Sequence, residues 1–166
     1  MQEHHLTFEV DASPKELWEL FWASQRNDLD YEGVKIKILH PGDEIGNGLV
    51  RTAWFRVPKY LFSGGKAQSW EWITNVKPYE SWQYDAVGKP LWSRARGITR
   101  LEDLGGNRTR LHFEETYHVF NPVMRALLEK RVHRFISRDN NKRIREGIEL
   151  GAQAIAAMRA QQTQQP

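Results

Sequence analysis

The sequence has 166 residues, a length that fits one domain burying roughly 70% of the surface its unfolded chain exposes. A hydrophobic fraction of 40% and a charged fraction of 27% exclude a disordered or fibrous chain, and the lack of Cys excludes disulfides, thiolate metal sites and a cysteine nucleophile. The net charge of +3 permits attraction to nucleic acid or to an anionic membrane and demands neither.

Met1 to Val10 alternates polar and apolar residues, which is not the pattern of a signal peptide, and no apolar run approaches the ~18 residues of a membrane span. A soluble, cytoplasmic protein is expected, with one domain over 1–160 and a frayed tail over 161–166, where the apolar pattern stops. Leu6, Phe8 and Val10 against Thr7 and Glu9 predict a first strand over Glu3 to Val10. Ser13, Pro14 and Glu16 supply a cap, a fixed proline φ and a capping-box carboxylate, so a helix starts there and ends near Ser24. Asp28 to Gly33 reads as a second short helical turn.

Strands follow one another from Val34. Val34, Ile36 and Ile38 alternate with Lys35, Lys37 and Leu39, and Pro41-Gly42-Asp43 turns the chain. Leu49 to Val57, Lys66 to Lys77, Ser81 to Val87, Trp92 to Leu104 and Arg108 to Phe120 complete the run, with Pro58 and Pro78 as strand ends and Gly105-Gly106-Asn107 as the last turn. In the last strand Thr109, Leu111, Phe113, Glu115, Tyr117 and Val119 share one face, and this is the set that must be covered. Glu115 therefore stands among apolar neighbours.

Asn121-Pro122 opens a helical stretch reaching about Arg159. Met124, Leu127, Leu128, Val132 and Phe135 form one apolar stripe on it. Ile136, Ile144, Ile148, Ile155 and Met158 form another, rotated by more than 90°, so a kink or a short preceding helix should separate the two. The only element large enough to cover the apolar face of the strands is this helix. The expected fold class is α+β: a curved antiparallel sheet of about six to seven strands around a long C-terminal helix, with two short helices after the first strand.

That order, punctuated by Val10-Asp11-Ala12-Ser13-Pro14-Lys15-Glu16-Leu17-Trp18 at the strand-to-helix opening, by Pro78 between central strands and by Gly105-Gly106-Asn107-Arg108-Thr109-Arg110-Leu111 before the last strand, resembles the START/SRPBCC superfamily, also called the helix-grip or birch pollen allergen fold, and within it the polyketide cyclase/dehydrase-like branch. The resemblance spans nearly the whole chain. It implies a large internal cavity for a lipid, polyketide, sterol or other hydrophobic ligand, and it implies no single chemistry, because members bind, transport, cyclise or regulate. Gln25-Arg26-Asn27-Asp28 departs from the small acidic or polar stretch usual after the first helix, which leaves the cavity portal undefined.

Glu115 and Tyr117 on the inner face of the last strand, with Asn140 placed between Ile136 and Ile144 on the helix and Ser137 at the margin, form the first polar constellation. A buried carboxylate has a raised pKa unless a cation compensates it, and Arg94 and Arg96 on the neighbouring strand are the candidate partners if their face turns inward. Three readings stay open: a structural ion pair, polar groups that orient a ligand carbonyl or hydroxyl, and general acid–base catalysis by Glu115 and Tyr117. Trp70 and Trp72 share one face, as do Trp82 and Tyr84; with Trp92 and Phe113 they read either as an aromatic cavity wall or as core. Gly147 and Gly151, on the second stripe, read either as close helix–sheet approach or as room for a ligand.

Arg131, Arg134, Arg138, Lys142 and Arg145 make a basic helix face, either simply solvated or drawn to an anionic membrane; nucleic acid is disfavoured because aromatics do not interleave with the cations. The six His have no metal spacing, Gly64-Gly65 and Gly105-Gly106 lack a phosphate-loop context, and no serine-nucleophile motif occurs, so neither a metal nor a cofactor is implied. The expectation is a hydrophobic-ligand carrier or sensor, with an aromatase/cyclase-type enzyme as the alternative and regulation of a partner through the basic helix as a weaker third. Ligand identity and oligomeric state do not follow from the residues.

Overall fold

Alternation in the opening residues becomes strand β1 (Gln2–Val10), and the Ser13 signals become helix α1 (Pro14–Gln25) in a computed structural model that describes residues 1–31 and 34–163. Ser13 Oγ accepts the Glu16 N–H while the Glu16 carboxylate accepts the Ser13 N–H, so two donors that the first turn would leave unsatisfied are paired. The expected second helical turn is instead strand β2 (Leu29–Tyr31), whose last residue abuts Glu32 and Gly33, which lie outside the described residues. Leu29 pairs with Ile36 across the hairpin, and Asp28 accepts the Ile38 N–H; pairing with β3 outweighs the local polar residues that suggested a turn. One short helix, not two, therefore follows β1.

The remaining strands are β3 (Val34–His40), β4 (Val50–Arg56), β5 (Lys66–Lys77), β6 (Ser81–Lys89), β7 (Ser93–Gly105) and β8 (Arg108–Val119). They form one antiparallel eight-stranded sheet in the order β1-β8-β7-β6-β5-β4-β3-β2. Each strand from β2 to β7 pairs with the next in the chain, and β1 closes on β8. Register shifts at Ile38/His40, at Thr74/Lys77, where Asn75 takes a φ of 52°, and at Asp103/Gly105 bend the strands, and the accumulated bend makes one face concave.

After a short helix α2 (Pro122–Met124), capped by Asn121, and a π turn over Arg125–Glu129, helix α3 (Lys130–Thr163) crosses the concave face. The two predicted apolar stripes are one. Val132, Ile136, Ile144, Ile148 and Ile155 face the sheet at steps of four, eight, four and seven, whereas Met124, Leu127 and Phe135 are exposed. The five-residue turn changes the phase of the leading segment, which a wheel drawn at 100° per residue across the whole stretch cannot anticipate. Met158's side chain and the tail beyond Thr163 lie outside the described residues.

Two clusters make the core. Trp18 and Trp22 stack at 4.9 Å and meet Trp82 at 5.6 and 5.7 Å, and with Leu17 they join α1 to Leu49, Ile73, Leu111, Phe113 and the far end of α3. The smaller cluster holds Val57 and Ala67 against Val132 and Ile136. Gly151 is buried under Leu20 of α1, a helix–helix contact and not the helix–sheet approach expected, and Gly147 is exposed with open space where a Cβ would be. Among the described residues no helix is long and apolar enough to cross a membrane.

Candidate functional site

Between the two core clusters the inner face of the sheet carries small residues. Register places Ala53, Ser69, Gly88 and Ser93 in one cross-strand row and Arg51, Glu71, Ala86, Ala95 and Tyr117 in the next. Opposite them α3 presents Ile136 and Asn140. Side chains this short cannot reach the helix, and a cavity of about 180 Å³ results, with Val34, Ile36 and Phe55 completing its wall.

The next row holds the polar centre. Tyr84 on β6 faces Gly97 on β7, which faces Glu115 on β8. Because Gly97 has no Cβ, the Tyr84 ring lies flat across β7, with Cε1 2.1 Å from where a Cβ would stand, and its hydroxyl donates a short hydrogen bond to Glu115 Oε2. Neighbouring strands are about 4.8 Å apart, so the phenol spans roughly twice that to meet the carboxylate. The other oxygen, Oε1, is 3.6 Å from His133 Nε2, and the same nitrogen is 3.3 Å from Ser137 Oγ. The His133 ring also stacks on Tyr117 at 5.4 Å. Burial, then the charge and hydrogen bond of Glu115, push the Tyr84 hydroxyl well above the usual phenol range. Burial likewise raises Tyr117, with the Ser93 hydroxyl pulling the other way. Both phenols are therefore protonated donors at neutral pH.

A second polar group lies across the cavity. Arg51 Nε donates to Glu71 at 2.8 Å, Arg51 also donates to Gln25, and Ser69 Oγ donates to the other Glu71 oxygen at 2.6 Å. Both partners are nearly buried, and these hydrogen bonds answer the desolvation that a buried ion pair suffers. Apolar walls, two fixed phenols, one paired carboxylate and one carboxylate shared between a phenol and an imidazole suit an apolar guest that carries a hydrogen-bonding hydroxyl. Among the described residues no cluster of three or more His, Cys, Asp or Glu can hold a metal ion.

Of the residues singled out in the sequence, Tyr84, Glu115, Tyr117, Ile136 and Asn140 line this cavity. The others do not. Trp70 and Trp72 project from the opposite, convex face, since β5 turns Ser69, Glu71 and Ile73 inward; Trp70 stacks on Trp92 there. Trp82 and Phe113 belong to the larger core cluster, and Ile144 packs half-buried against it. Arg94 and Arg96 also point outward, Arg96 to Asp85 at 2.7 Å, so neither is the partner of Glu115. The alternation of β7 required this once Ala95 and Gly97 faced in. Sequence reading missed Arg51, Glu71 and His133. His133 was within reach of the helical pattern, lying three residues before Ile136, four before Ser137 and seven before Asn140. In β5 the bulk of two tryptophans outweighed the Ser69/Glu71 alternative, whose signal was the opposite charge of Arg51 on the preceding strand.

No protein-family model matches the sequence, and no curated protein does. Solved structures match over nearly the whole chain: a protein from Thermus thermophilus (TM-score 0.68, 15% identity, 93% of this chain and 99% of that one), an aromatase/cyclase from Streptomyces (0.62, 16%, 92% and 93%) and a START superfamily protein from Mycobacterium smegmatis (0.61, 14%, 92% and 98%). At these identities the likeness is one of fold.

Proposed function

The chain has the helix-grip fold of the START/SRPBCC superfamily, and from that we propose that it binds a small, largely apolar molecule bearing a hydroxyl group in the cavity between sheet and α3. The observation that carries the reading is the Tyr84–Glu115–His133 chain on one side of a space of about 180 Å³ whose remaining charged groups, Arg51 with Glu71, are already paired. Size limits the guest: an apolar protein cavity of roughly 150 Å³ takes up benzene, whereas drug-sized ligands occupy about 300 Å³ or more. One substituted ring fills that volume, and a long acyl chain or an extended polyketide exceeds it. Charge limits it too. Arg51 answers Glu71, and Glu115 is met by a neutral phenol and by His133, so a ligand carboxylate would add a further anion beside two carboxylates, while a hydroxyl can donate to Glu115.

Calorimetric titration with p-cresol, toluene and p-toluate tests this. The expected order of affinity is p-cresol, then toluene, then p-toluate, with p-cresol at least 10-fold ahead of p-toluate. Glu115→Gln keeps an acceptor for Tyr84 but removes the charge, and it should weaken p-cresol about 10-fold, the worth of one charge-assisted hydrogen bond, while leaving toluene unchanged. Ala95→Phe, which fills the space, should abolish binding of all three. Binding that survives Ala95→Phe, or a preference for p-toluate, would overturn the proposal. A polyketide-closing enzyme is the weaker reading, because the cavity is too small for the chain it would have to fold.

A further inference from the structure

A second concavity, of about 400 Å³, lies on the outer side of α3, between that helix and β1. Lys130, Arg134 and Arg138 line it at four-residue spacing, so all three project from one side of the helix. Among the described residues none of the three has an ion-pair partner, whereas further along the helix Arg143 pairs with Asp139 and Lys142 with Glu146. Glu3 is the one acid on the rim, and it is exposed. Three unpaired cations against one acid is an arrangement that repels itself unless something anionic enters it.

The groove also has a built floor. His133 and Ser137, both more than nine-tenths buried, form it, hydrogen-bonded to one another. On the β1 side His4 Nε2 and Asn141 Oδ1 are 2.7 Å apart. The Asn141 amide, which carries both donor and acceptor atoms, thus stands at the edge of the groove beside Arg138. Gln2, next on the inner face of β1, also lines the groove, with its amide donating to the buried Glu129 carboxylate at 3.2 Å. Guanidinium and amide donors converging from a helix and a strand on one concave spot are the chemistry that holds a tetrahedral oxyanion, with arginine forks as the strongest members.

We propose that the groove between β1 and α3 binds a phosphate-type oxyanion, held by Lys130, Arg134 and Arg138 with Asn141 completing the donor set. The site is separate from the internal cavity, which it meets only where His133 on the groove floor contacts Glu115 and Tyr117, and it stands whether or not the cavity takes a phenolic guest. The oxyanion can belong to a soluble phosphorylated molecule or to a lipid headgroup, and the same donors serve both.

Nuclear magnetic resonance titration with inorganic pyrophosphate at constant ionic strength is the direct test. Saturable amide shifts confined to 2–4 and 130–141 are expected, and Arg134→Gln/Arg138→Gln should weaken binding at least 10-fold. Both side chains are exposed, so the double variant keeps its fold, and an unchanged melting temperature certifies that. Arg94→Gln/Arg96→Gln, on the convex face, is the control and should bind pyrophosphate like the parent. Sedimentation with phosphatidic acid vesicles forms the second arm: displacement of vesicles by pyrophosphate assigns a soluble ligand, and Arg134/Arg138-dependent vesicle binding that pyrophosphate does not displace assigns the headgroup. Shifts that never saturate, that spread over every basic surface, or that persist within twofold in Arg134→Gln/Arg138→Gln, together with vesicle binding indifferent to those residues, overturn the site.

Discussion

Gly97→Ala is the sharpest probe of the polar centre. A methyl group at this position would stand 2.1 Å from Tyr84 Cε1 and 2.6 Å from Cζ, whereas carbon atoms in contact prefer about 3.5 Å or more, so the ring must retreat by roughly 1.4 Å. It cannot do so and keep its hydroxyl on Glu115, since the ring is held at one end by its strand and at the other by the carboxylate. Overpacking costs about 1–3 kcal/mol, a lost hydrogen bond to a charged group about 1.5–3 kcal/mol, and Ala in place of Gly in a strand returns about 0.5–1 kcal/mol. A net destabilisation of about 2–4 kcal/mol follows. Removing the ring should reverse the sign: in a Tyr84→Ala background the obstacle is gone and Gly97→Ala should stabilise by about 0.5 kcal/mol. Urea denaturation of the four proteins of this cycle gives the coupling, expected near 3 kcal/mol with unchanged m-values. Equal destabilisation by Gly97→Ala in both backgrounds would refute the argument that Gly97 exists to let Tyr84 cross β7.

Further outcomes follow from other contacts. Arg51→Met alone strands the buried Glu71 carboxylate and should cost about 3–5 kcal/mol, whereas Arg51→Met/Glu71→Leu should recover most of that loss in the same denaturation assay. Gly147→Ala, exposed and mid-helix with nothing near the new methyl, should stabilise by about 0.5–1 kcal/mol; a loss of stability would show that α3 is packed differently there. Glu16 is held down to about 2 from its usual 4.5, first by the hydrogen bond from Arg159 on α3, against some desolvation, and also by Ser13. A lowered folded-state value means that its contribution is complete above about pH 4.5, shrinks as the pH falls from there to 2, and is absent below. The stability gap between the parent and Glu16→Gln should therefore close across that window and be flat above pH 5, with a modest size because the pair is partly exposed.

Much of the architecture was written locally. The capping box at Ser13, the alternation of β8 with every member of its predicted inner set buried, and the Gly105-Gly106-Asn107 turn are decided by residues a few positions apart, and those predictions agree with the structure. Glu115 and Tyr117 were placed on the inner face for the same reason. Where two local signals competed, sequence reading went astray. Bulky Trp70 and Trp72 outweighed Ser69 and Glu71 in the choice of inner face, and polar residues near Asp28 masked a strand that exists only because β3 pairs with it.

What the residues determined by themselves was periodicity: which segments extend, which wind, and which side chains share a face. Tertiary structure decided everything that depends on a distance between segments far apart in the chain. Glycine at position 97 matters because Tyr84 arrives from one neighbouring strand and Glu115 from the other; Arg51 meets Glu71, and His133 meets Glu115, only through strand register and the path of α3 over the sheet. The cavity itself is a property of the gap left when small residues on several strands fall under one stretch of helix, and no single segment encodes a gap.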